Sequence, residues 1–197
     1  MLGKAYRAKR NGDYDQALAE FRAVVDALQV GPEATEARYE VGVCAYLAGN
    51  YQDAQNLLAA FIREYPADLR IGTVHFYLAE ALTATGQYAR ASDGYRAYLT
   101  RQEVLADLVY TRIGDNHVSL GEYQAAVEAY QRALERAPDP GQQYDLREKI
   151  GLAYSAWGRC EDALTWLHGI TERSENVHRL ARIWYLIGQV HRLAGQE

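Results

Sequence analysis

The sequence predicts an all-α protein made of repeated pairs of antiparallel helices, and three observations lead to this fold class. A glycine recurs at intervals of 35 or 37 residues. The residues around each glycine recur with it, and no window shows the strict polar–apolar alternation that is typical of a β-strand. The recurring glycines are Gly12, Gly49, Gly86, Gly121, Gly158 and Gly195. A nearly constant period of this length indicates a repeat array, in which each unit packs only against its neighbours.

The first helix of each unit lies upstream of the recurring glycine and carries a small residue seven positions before it. These small residues are Ala5, Gly42, Ala79, Gly114, Gly151 and Gly188. The residue before each of them is aliphatic in five of the six units, and Lys4 is the exception. Because a glycine inside a helix costs roughly 0.5–1 kcal/mol relative to alanine, its repeated use predicts a close contact between helices at this position.

The second helix of each unit begins just after the glycine and carries a small and a large residue four positions apart. These pairs are Ala17 and Phe21, Ala54 and Leu58, Ala91 and Tyr95, Ala126 and Tyr130, and Ala163 and Leu167. Residues i and i+4 share one face of a helix. The small residue therefore lets a neighbouring helix approach, and the large one fills the space beside it.

Together these residues resemble the tetratricopeptide repeat (TPR) family, whose pattern is W-x2-L-G-x2-Y, then A-x3-F, then P. The fourth unit shows the pattern best, through Tyr110, Ile113, Gly114, His117, Ala126, Tyr130 and Pro138. The second unit departs from it, since Arg38 stands where an aromatic residue is usual. Most units are also about three residues longer than the family's repeat of roughly 34 residues. The resemblance implies a right-handed superhelical solenoid of five full helix pairs and a terminal unpaired helix.

We expect a single array over residues 1–197, with no internal domain boundary. Its approximate units are 1–31, 32–68, 69–103, 104–140, 141–177 and 178–197. The four prolines, which are Pro32, Pro66, Pro138 and Pro140, fall between predicted helices. The surplus residues are expected in turn-forming stretches such as 29–32 and 138–141, where they lengthen loops or helix ends without changing the stacking.

The last predicted helix is apolar on more than one side. It contains the apolar run 183–187, followed by Val190 and Leu193. The helix either caps the fifth unit and tolerates some exposure, or belongs to a fragment of a longer array, or packs against another copy of the chain. Since large exposed apolar patches usually mark a contact, we favour the fragment or self-association.

Composition argues against several classes of function. A net charge of −5 and only three lysines do not suit nucleic-acid binding, which depends on clustered Lys and Arg. No run of about 18 apolar residues could span a membrane, and the first residues lack a signal-peptide pattern. The two cysteines slightly favour the cytoplasm. A periplasmic location would apply if the chain is a fragment of an exported protein, so the compartment stays open.

No catalytic or metal-binding motif is present, so we expect a protein without enzymatic activity, cofactor or metal. The five histidines form no H-E-x-x-H pair and no Cys/His ligand set. Phosphate-loop, dinucleotide-binding and nucleophile-elbow motifs are absent as well. A repeat array of this kind is instead a surface that holds another molecule.

In TPR proteins the first helices line the inner, concave face, where ligands usually lie. The resemblance places on this inner face the residues three before, and one, four and five after, each small residue. The predicted partner-binding residues are Tyr6, Lys9, Arg10, Tyr39, Val43, Tyr46, Phe76, Glu80, Thr111, Asp115, Glu148, Tyr185, Gln189 and Arg192. They form a basic start, an aromatic stretch, an acidic centre and a basic far end.

The character of this strip predicts the kind of partner. Aromatic side chains with a polar tip are enriched at binding hot spots, and acidic side chains attract basic segments. Chaperone-binding TPR proteins hold a C-terminal carboxylate with a clamp of Lys, Asn and Arg, whereas the inner positions of units two to five here carry no basic residue. We therefore expect another protein or peptide, with apolar anchors and some positive charge.

Two functional hypotheses fit these observations. The first is a non-catalytic scaffold that binds a peptide or helix of a partner protein in the concave groove. The alternative is a helical, non-catalytic segment of a larger protein, such as a bacterial cell-envelope assembly protein or a lytic transglycosylase-like enzyme. The stretch FIREYP, residues 61–66, resembles the longer-than-usual TPR-like units of such envelope proteins.

Overall fold

The computed structural model describes residues 1–174 and 176–195, and every regular element in these ranges is a helix. Glu175 and the last two residues of the sixth predicted unit, Gln196 and Glu197, lie outside the described residues. The helices are α1 (Leu2–Arg10), α2 (Tyr14–Leu28), α3 (Pro32–Leu47), α4 (Tyr51–Glu64), α5 (Ile71–Ala84), α6 (Tyr88–Leu99), α7 (Ala106–Ser119), α8 (Tyr123–Leu134), α9 (Pro140–Ala156), α10 (Cys160–Thr171) and α11 (Val177–Leu193). The predicted all-α class is confirmed, with five helix pairs followed by α11.

The two helices of a pair are joined by the same short turn in each unit. The recurring glycine has a positive φ in every case, from 70° at Gly195 to 83° at Gly12. Residues with a Cβ rarely adopt this left-handed backbone conformation. Glycine is therefore the residue that ends the first helix at this position. In the second unit the N–H of Asn50 donates a hydrogen bond to the carbonyl of Ala45 at 2.9 Å, which caps the C-terminal end of α3.

Two first helices begin with a proline, which corrects the expectation that all four prolines lie between helices. Pro32 and Pro140 occupy the first positions of α3 and α9. Proline suits this position because its fixed φ is helical and the missing N–H would have no intrahelical partner. Asp139 caps α9 by accepting a hydrogen bond from the N–H of Gln142 at 2.9 Å. The helix therefore starts one residue before the predicted boundary at 140/141.

The chain divides into two compact units, Met1–Glu103 and Val104–Glu197. Unit 1 contains α1 to α6, and its core includes the fully buried Phe21, Leu58 and Val74. Unit 2 contains α7 to α11, and its core is formed by residues such as Leu167 and Ile183. In both units the buried side chains come from the apolar faces of consecutive helices, as expected for stacked amphipathic pairs.

Three of the predicted small residues, Gly42, Gly114 and Gly151, mark close contacts between the helices of a pair. A Cβ at Gly42 would lie 2.6 Å from Cδ2 of Leu58, and one at Gly151 would lie 2.9 Å from Cδ2 of Leu167. A Cβ at Gly114 would meet the ring of Tyr130. These distances are shorter than real Cβ contacts, so an added Cβ at these positions would force the side chain of the second helix to shift.

We expect Gly114→Ala to destabilise the protein by about 1–3 kcal/mol, because the added methyl group overpacks the contact with the ring of Tyr130. Gly188→Ala is the matched control, since a Cβ there has no atom within 4 Å. The control should gain about 0.5–1 kcal/mol from helix propensity alone. Urea unfolding followed by circular dichroism measures both changes. Equal effects of the two substitutions would refute a tight contact at Gly114.

The pH dependence of unit 1 should contain a contribution from His75. Burial, and then the nearby charge of Arg101, lower the pKa of this histidine below its ordinary value of 6.5. The folded state therefore favours the neutral ring. The contribution of His75 to the free energy of unfolding is fully present above about pH 6.5. It is lost as the pH drops toward the lowered pKa, because the unfolded chain takes up the proton first.

Thermal unfolding of the wild type and of His75→Gln between pH 7.5 and pH 5 tests this point. The other four histidines are common to both proteins, so the difference between the two melting curves isolates His75. We expect the variant to lose less stability on acidification. If the two proteins lose the same amount, His75 is not the source of the effect.

Candidate functional site

In unit 2 two carboxylates of the inner face are bound by donors from neighbouring helices. Asp115 of α7 accepts a hydrogen bond from the hydroxyl of Tyr130 at 2.7 Å, and it forms an ion pair with Lys149 at 2.5 Å. Glu148 of α9 binds Arg182 of α11 at 2.7 Å. Each carboxylate therefore connects its own helix to a helix of the next repeat.

Unit 1 shows the same arrangement. Glu80 of α5 accepts hydrogen bonds from the hydroxyls of Tyr95 at 2.5 Å and Tyr46 at 3.1 Å. On α3, Glu36 accepts from Tyr6 at 2.5 Å and Glu40 binds Lys9 at 2.6 Å. Here the order along the chain is reversed: the donors Lys9 and Tyr46 each lie on one first helix and their carboxylates on the next, whereas in unit 2 the carboxylates come first.

The spacing of these partners is the same in four pairs, and it is three residues, about one helical turn, shorter than the 37-residue repeat of the units concerned. Donor and carboxylate on adjacent first helices are 34 residues apart in four pairs, which are Tyr6 and Glu40, Tyr46 and Glu80, Asp115 and Lys149, and Glu148 and Arg182. The tyrosine of the second helix follows its carboxylate by 15 residues, at Tyr95 and again at Tyr130. We call these contacts the inner-face latches.

The tyrosines of the latches act as hydrogen-bond donors. Burial, and then the negative charge of Asp115, raise the pKa of Tyr130 above its ordinary value. The pKa of Tyr6 is raised by burial first and by its hydrogen bond to Glu36 next. Both hydroxyls therefore keep their protons at neutral pH, and the two carboxylates remain the acceptors.

Unit 2 also has two cavities on this face. One has a volume of about 360 Å³ and is lined by Asp115, Val118, Tyr130, Lys149, Leu152, Ala153 and Ala156. The other, of about 690 Å³, is lined by Asp145, Glu148, Lys149, Leu152, Asn176, His178, Arg179 and Arg182. Lys149 and Leu152 belong to both linings, so the cavities adjoin. Volumes of this size are typical of sites for small molecules or for a few side chains of a peptide.

The predicted aromatic residues are largely occupied with contacts inside unit 1. The ring of Tyr39 packs edge-on against Phe61 at 6.1 Å, and the guanidinium of Arg70 lies 5.2 Å from its centre. The ring of Phe76 packs against those of Tyr95 and Tyr98 in α6, with distances between ring centroids of 6.1 and 5.7 Å. Tyr46 packs against Tyr51 and Tyr77, in addition to its hydrogen bond to Glu80. These rings stabilise the helix pairs as well as bordering the inner face.

The other predicted binding residues differ in how accessible they are. Val43 is only 1% exposed, so its inclusion was wrong: the side chain belongs to the core. Thr111 is half-buried, and its hydroxyl donates to the carbonyl of Asp107. Arg10 is exposed at the end of α1. On α11 Tyr185 and Arg192 are exposed and Gln189 is half-buried.

Sequence reasoning missed several members of the latches. Glu36, Glu40 and Lys149 were absent from the predicted set, and Tyr95 and Tyr130 were interpreted as packing residues alone. The signal that reveals them is a donor and a carboxylate 34 residues apart, or a tyrosine 15 residues after a carboxylate. A search for single residue types at fixed positions could not detect this pairing.

Within residues 1–174 and 176–195 no cluster of three or more potential metal ligands occurs. In the same ranges, none of the helices combines the length and the apolar character needed to cross a bilayer.

The fold and the inner face are those of a helical-repeat protein, in which antiparallel helices pack closely against each other at small residues. Repeat proteins of this class usually bind other proteins. The chain belongs to the tetratricopeptide repeat family. Profiles of this repeat match residues 2–68, 48–103 and 108–140. Tetratricopeptide repeats generally mediate protein–protein interaction or assembly.

Known proteins resemble this chain in sequence and in fold. The photosystem I assembly protein Ycf3 of Synechococcus sp. (strain CC9605) is 30% identical over 102 residues, which is 50% of this chain and 57% of that protein. The C-terminal part of a TPR repeat-containing protein from Cytophaga hutchinsonii has a TM-score of 0.77 at 17% identity, covering 99% of this chain and 72% of that one. MamA from Desulfovibrio magneticus RS-1 has a TM-score of 0.70 at 16% identity, covering 85% and 89%. The two structures support the fold alone.

We expect Tyr130→Phe to destabilise the protein by about 1.5–3 kcal/mol, the usual range for a lost hydrogen bond to a charged group. The ring stays in place over Gly114, so helicity should not change. Tyr123→Phe at the start of the same helix is the matched control, because its hydroxyl has no hydrogen-bond partner among the described residues. Urea unfolding measures the difference, and an equal stability of both variants would contradict a structural role for this latch.

Proposed function

We propose that this protein is a non-catalytic interaction scaffold that binds a peptide or helix of a partner protein along the inner face of unit 2. The observation that carries the proposal is the pair of adjoining cavities, of about 360 and 690 Å³, on that face. Two aliphatic side chains border them while remaining open to solvent: Leu152 is 39% exposed and Val118 is 37% exposed. Such side chains are suited to contact the apolar anchors of a partner.

The charges of this surface indicate how much charge the proposed partner carries. Three carboxylates, Asp115, Asp145 and Glu148, pair there with three cations, Lys149, Arg179 and Arg182. Their formal charges cancel, so electrostatic steering of a strongly basic segment is not favoured in unit 2. The proposed partner therefore binds mainly through apolar side chains, and its polar groups make hydrogen bonds to the ion pairs at the edge.

Two further considerations support a scaffold. The tetratricopeptide repeat is an interaction module, and the relative from Synechococcus is named as an assembly protein. The proposed role requires no chemistry at the inner face, only a rigid surface, and the latches provide rigidity by joining consecutive helix pairs. A preformed surface lowers the entropic cost of binding a flexible peptide.

A peptide-display library selected on the purified chain tests the proposal without knowledge of the natural partner. We expect enriched peptides that contain apolar anchors, and we expect Leu152→Glu to weaken their binding at least about tenfold, because it places a charge where an apolar side chain docks. Leu120→Glu is the matched control. Leu120 has a nearly identical exposure of 40% and does not line either cavity.

Raising the salt concentration should change the affinity little, since the ion pairs of this face are already balanced. Peptides that bind equally well to both glutamate variants would place the binding surface elsewhere. A library that yields no specific peptide would refute capture of an extended segment by this face.

A further inference from the structure

Unit 1 contains a cavity of about 310 Å³ between the helices α2, α3 and α4. The apolar part of its wall is formed by Val25, Val41, Leu57, Ala60 and Phe61. The latch residues described above do not line it, so it is distinct from the latched inner face. Its volume is at the lower end of the range of roughly 300–1,000 Å³ that is typical of small-molecule sites. A ligand of this cavity is therefore small and largely apolar.

Arg38, which also lines this cavity, has a nitrogen atom without a hydrogen-bond partner. Its Nη2 donates a hydrogen bond to the carbonyl of Gln29 at 2.6 Å. Its Nη1 is buried, and no atom of the described residues accepts a hydrogen bond from it. A buried donor without an acceptor costs free energy, and a charged donor costs more than a neutral one. A ligand that brings an acceptor to Nη1 removes this cost.

The cavity lies where another pair of this chain has an aromatic ring. Arg147 in the fifth pair and Arg38 in the second both precede the small residue of their helix by four positions. The guanidinium of Arg147 lies 6.0 Å from the ring centre of Trp166. In the second pair the equivalent of Trp166 is Leu57, which lines the cavity. The smaller leucine side chain leaves space in the region where the fifth pair has an indole ring.

The other charged residues of the wall restrict the charge of the ligand. Asp26 and Glu64 line the cavity and are exposed to solvent. Arg22 lines it as well, and its guanidinium forms an ion pair with Asp53 at 3.6 Å. Arg38 has no ion pair with the described residues, so a single carboxylate balances its charge. A second negative charge on the ligand would be repelled by the carboxylates of Asp26 and Glu64.

We propose that this cavity binds a small monocarboxylate with an apolar tail, such as a medium-chain fatty acid. The flexible side chain of Arg38 turns Nη1 toward the cavity, where it donates to the carboxylate of the ligand. The tail lies against Leu57 and Phe61. The chain thus holds a small ligand in unit 1, in addition to the partner protein proposed for unit 2.

Octanoate, used below its micellar concentration at pH 8, is the probe of this site. It is titrated into the full chain, which is labelled with ¹³C at the valine and leucine methyl groups and observed by NMR. We expect saturable shifts of the methyl signals of Val25, Val41 and Leu57. Acetate lacks the tail, octan-1-ol lacks the charge, and octyl phosphate carries a second negative charge. Each of these should bind at least about tenfold more weakly than octanoate.

Two substitutions test the guanidinium and the space separately. Arg38→Gln should weaken octanoate binding at least about tenfold, and its matched control is Arg7→Gln, at an exposed position of α1 outside the cavity wall. Leu57→Trp should weaken binding to a similar extent, because it fills the cavity with the side chain that the fifth pair has as Trp166 and leaves Arg38 in place. Leu120→Trp is its matched control, since Leu120 is exposed and does not line the cavity. Circular dichroism verifies that all four variants fold.

Three outcomes overturn the proposal directly: no saturable shifts, equal binding of octanoate by Arg38→Gln, or octan-1-ol that binds as tightly as octanoate. An acetylated tripeptide that ends in a free leucine carboxylate tests the other source of this chemistry. If the tripeptide binds in the cavity and octanoate does not, the ligand is the C-terminus of a protein, and the small-acid proposal is wrong. Leu152→Glu should leave octanoate binding unchanged, so failure of this site and failure of the inner-face proposal are distinguishable.

Discussion

The close approach of the two helices within a pair is the constraint on which the rest of the structure depends. Where Gly114 meets Tyr130, the missing Cβ lets the ring lie directly on the backbone of the first helix. The hydroxyl of the same ring then reaches Asp115, the next residue along. One side chain therefore sets both the distance between the helices and the direction of a carboxylate on the inner face. A wider spacing would lose both contacts.

The inner face is consequently less acidic than its residue types indicate. A carboxylate such as Asp115 or Glu148 attracts a basic ligand only to the extent that its charge is not already balanced, and each lies against a cation of the adjacent repeat. In unit 2 the inner face is a mixture of ion pairs and aliphatic side chains such as Leu152. Selectivity on such a surface depends more on shape and hydrogen bonding than on net charge.

The fold was predictable from the sequence because its determinants are local and repeated. The small residues, the i, i+4 pairs and the turn glycines each recur, so chance matches average out over the units. The first positions of α3 and α9 were missed because Pro32 and Pro140 also suit a loop, and only the fixed backbone distinguishes the two. The latches join residues of different repeats, such as Asp115 and Lys149, and a unit-by-unit search does not compare such residues. Val43 was misplaced since small rotations of a helix decide which neighbour of a glycine faces the core.

The latches also restrict how this surface can diverge during evolution. Replacing Glu148 by a neutral residue leaves Arg182 without its partner, and replacing Asp115 strands both Lys149 and a buried tyrosine hydroxyl. On the proposed binding surface, a single substitution at these positions changes the surface and weakens the fold together. The surface therefore changes with the least loss of stability through concerted exchanges in two neighbouring repeats, or at aliphatic positions outside the latches such as Leu152. Related sequences should show correlated replacement at a separation of 34 residues.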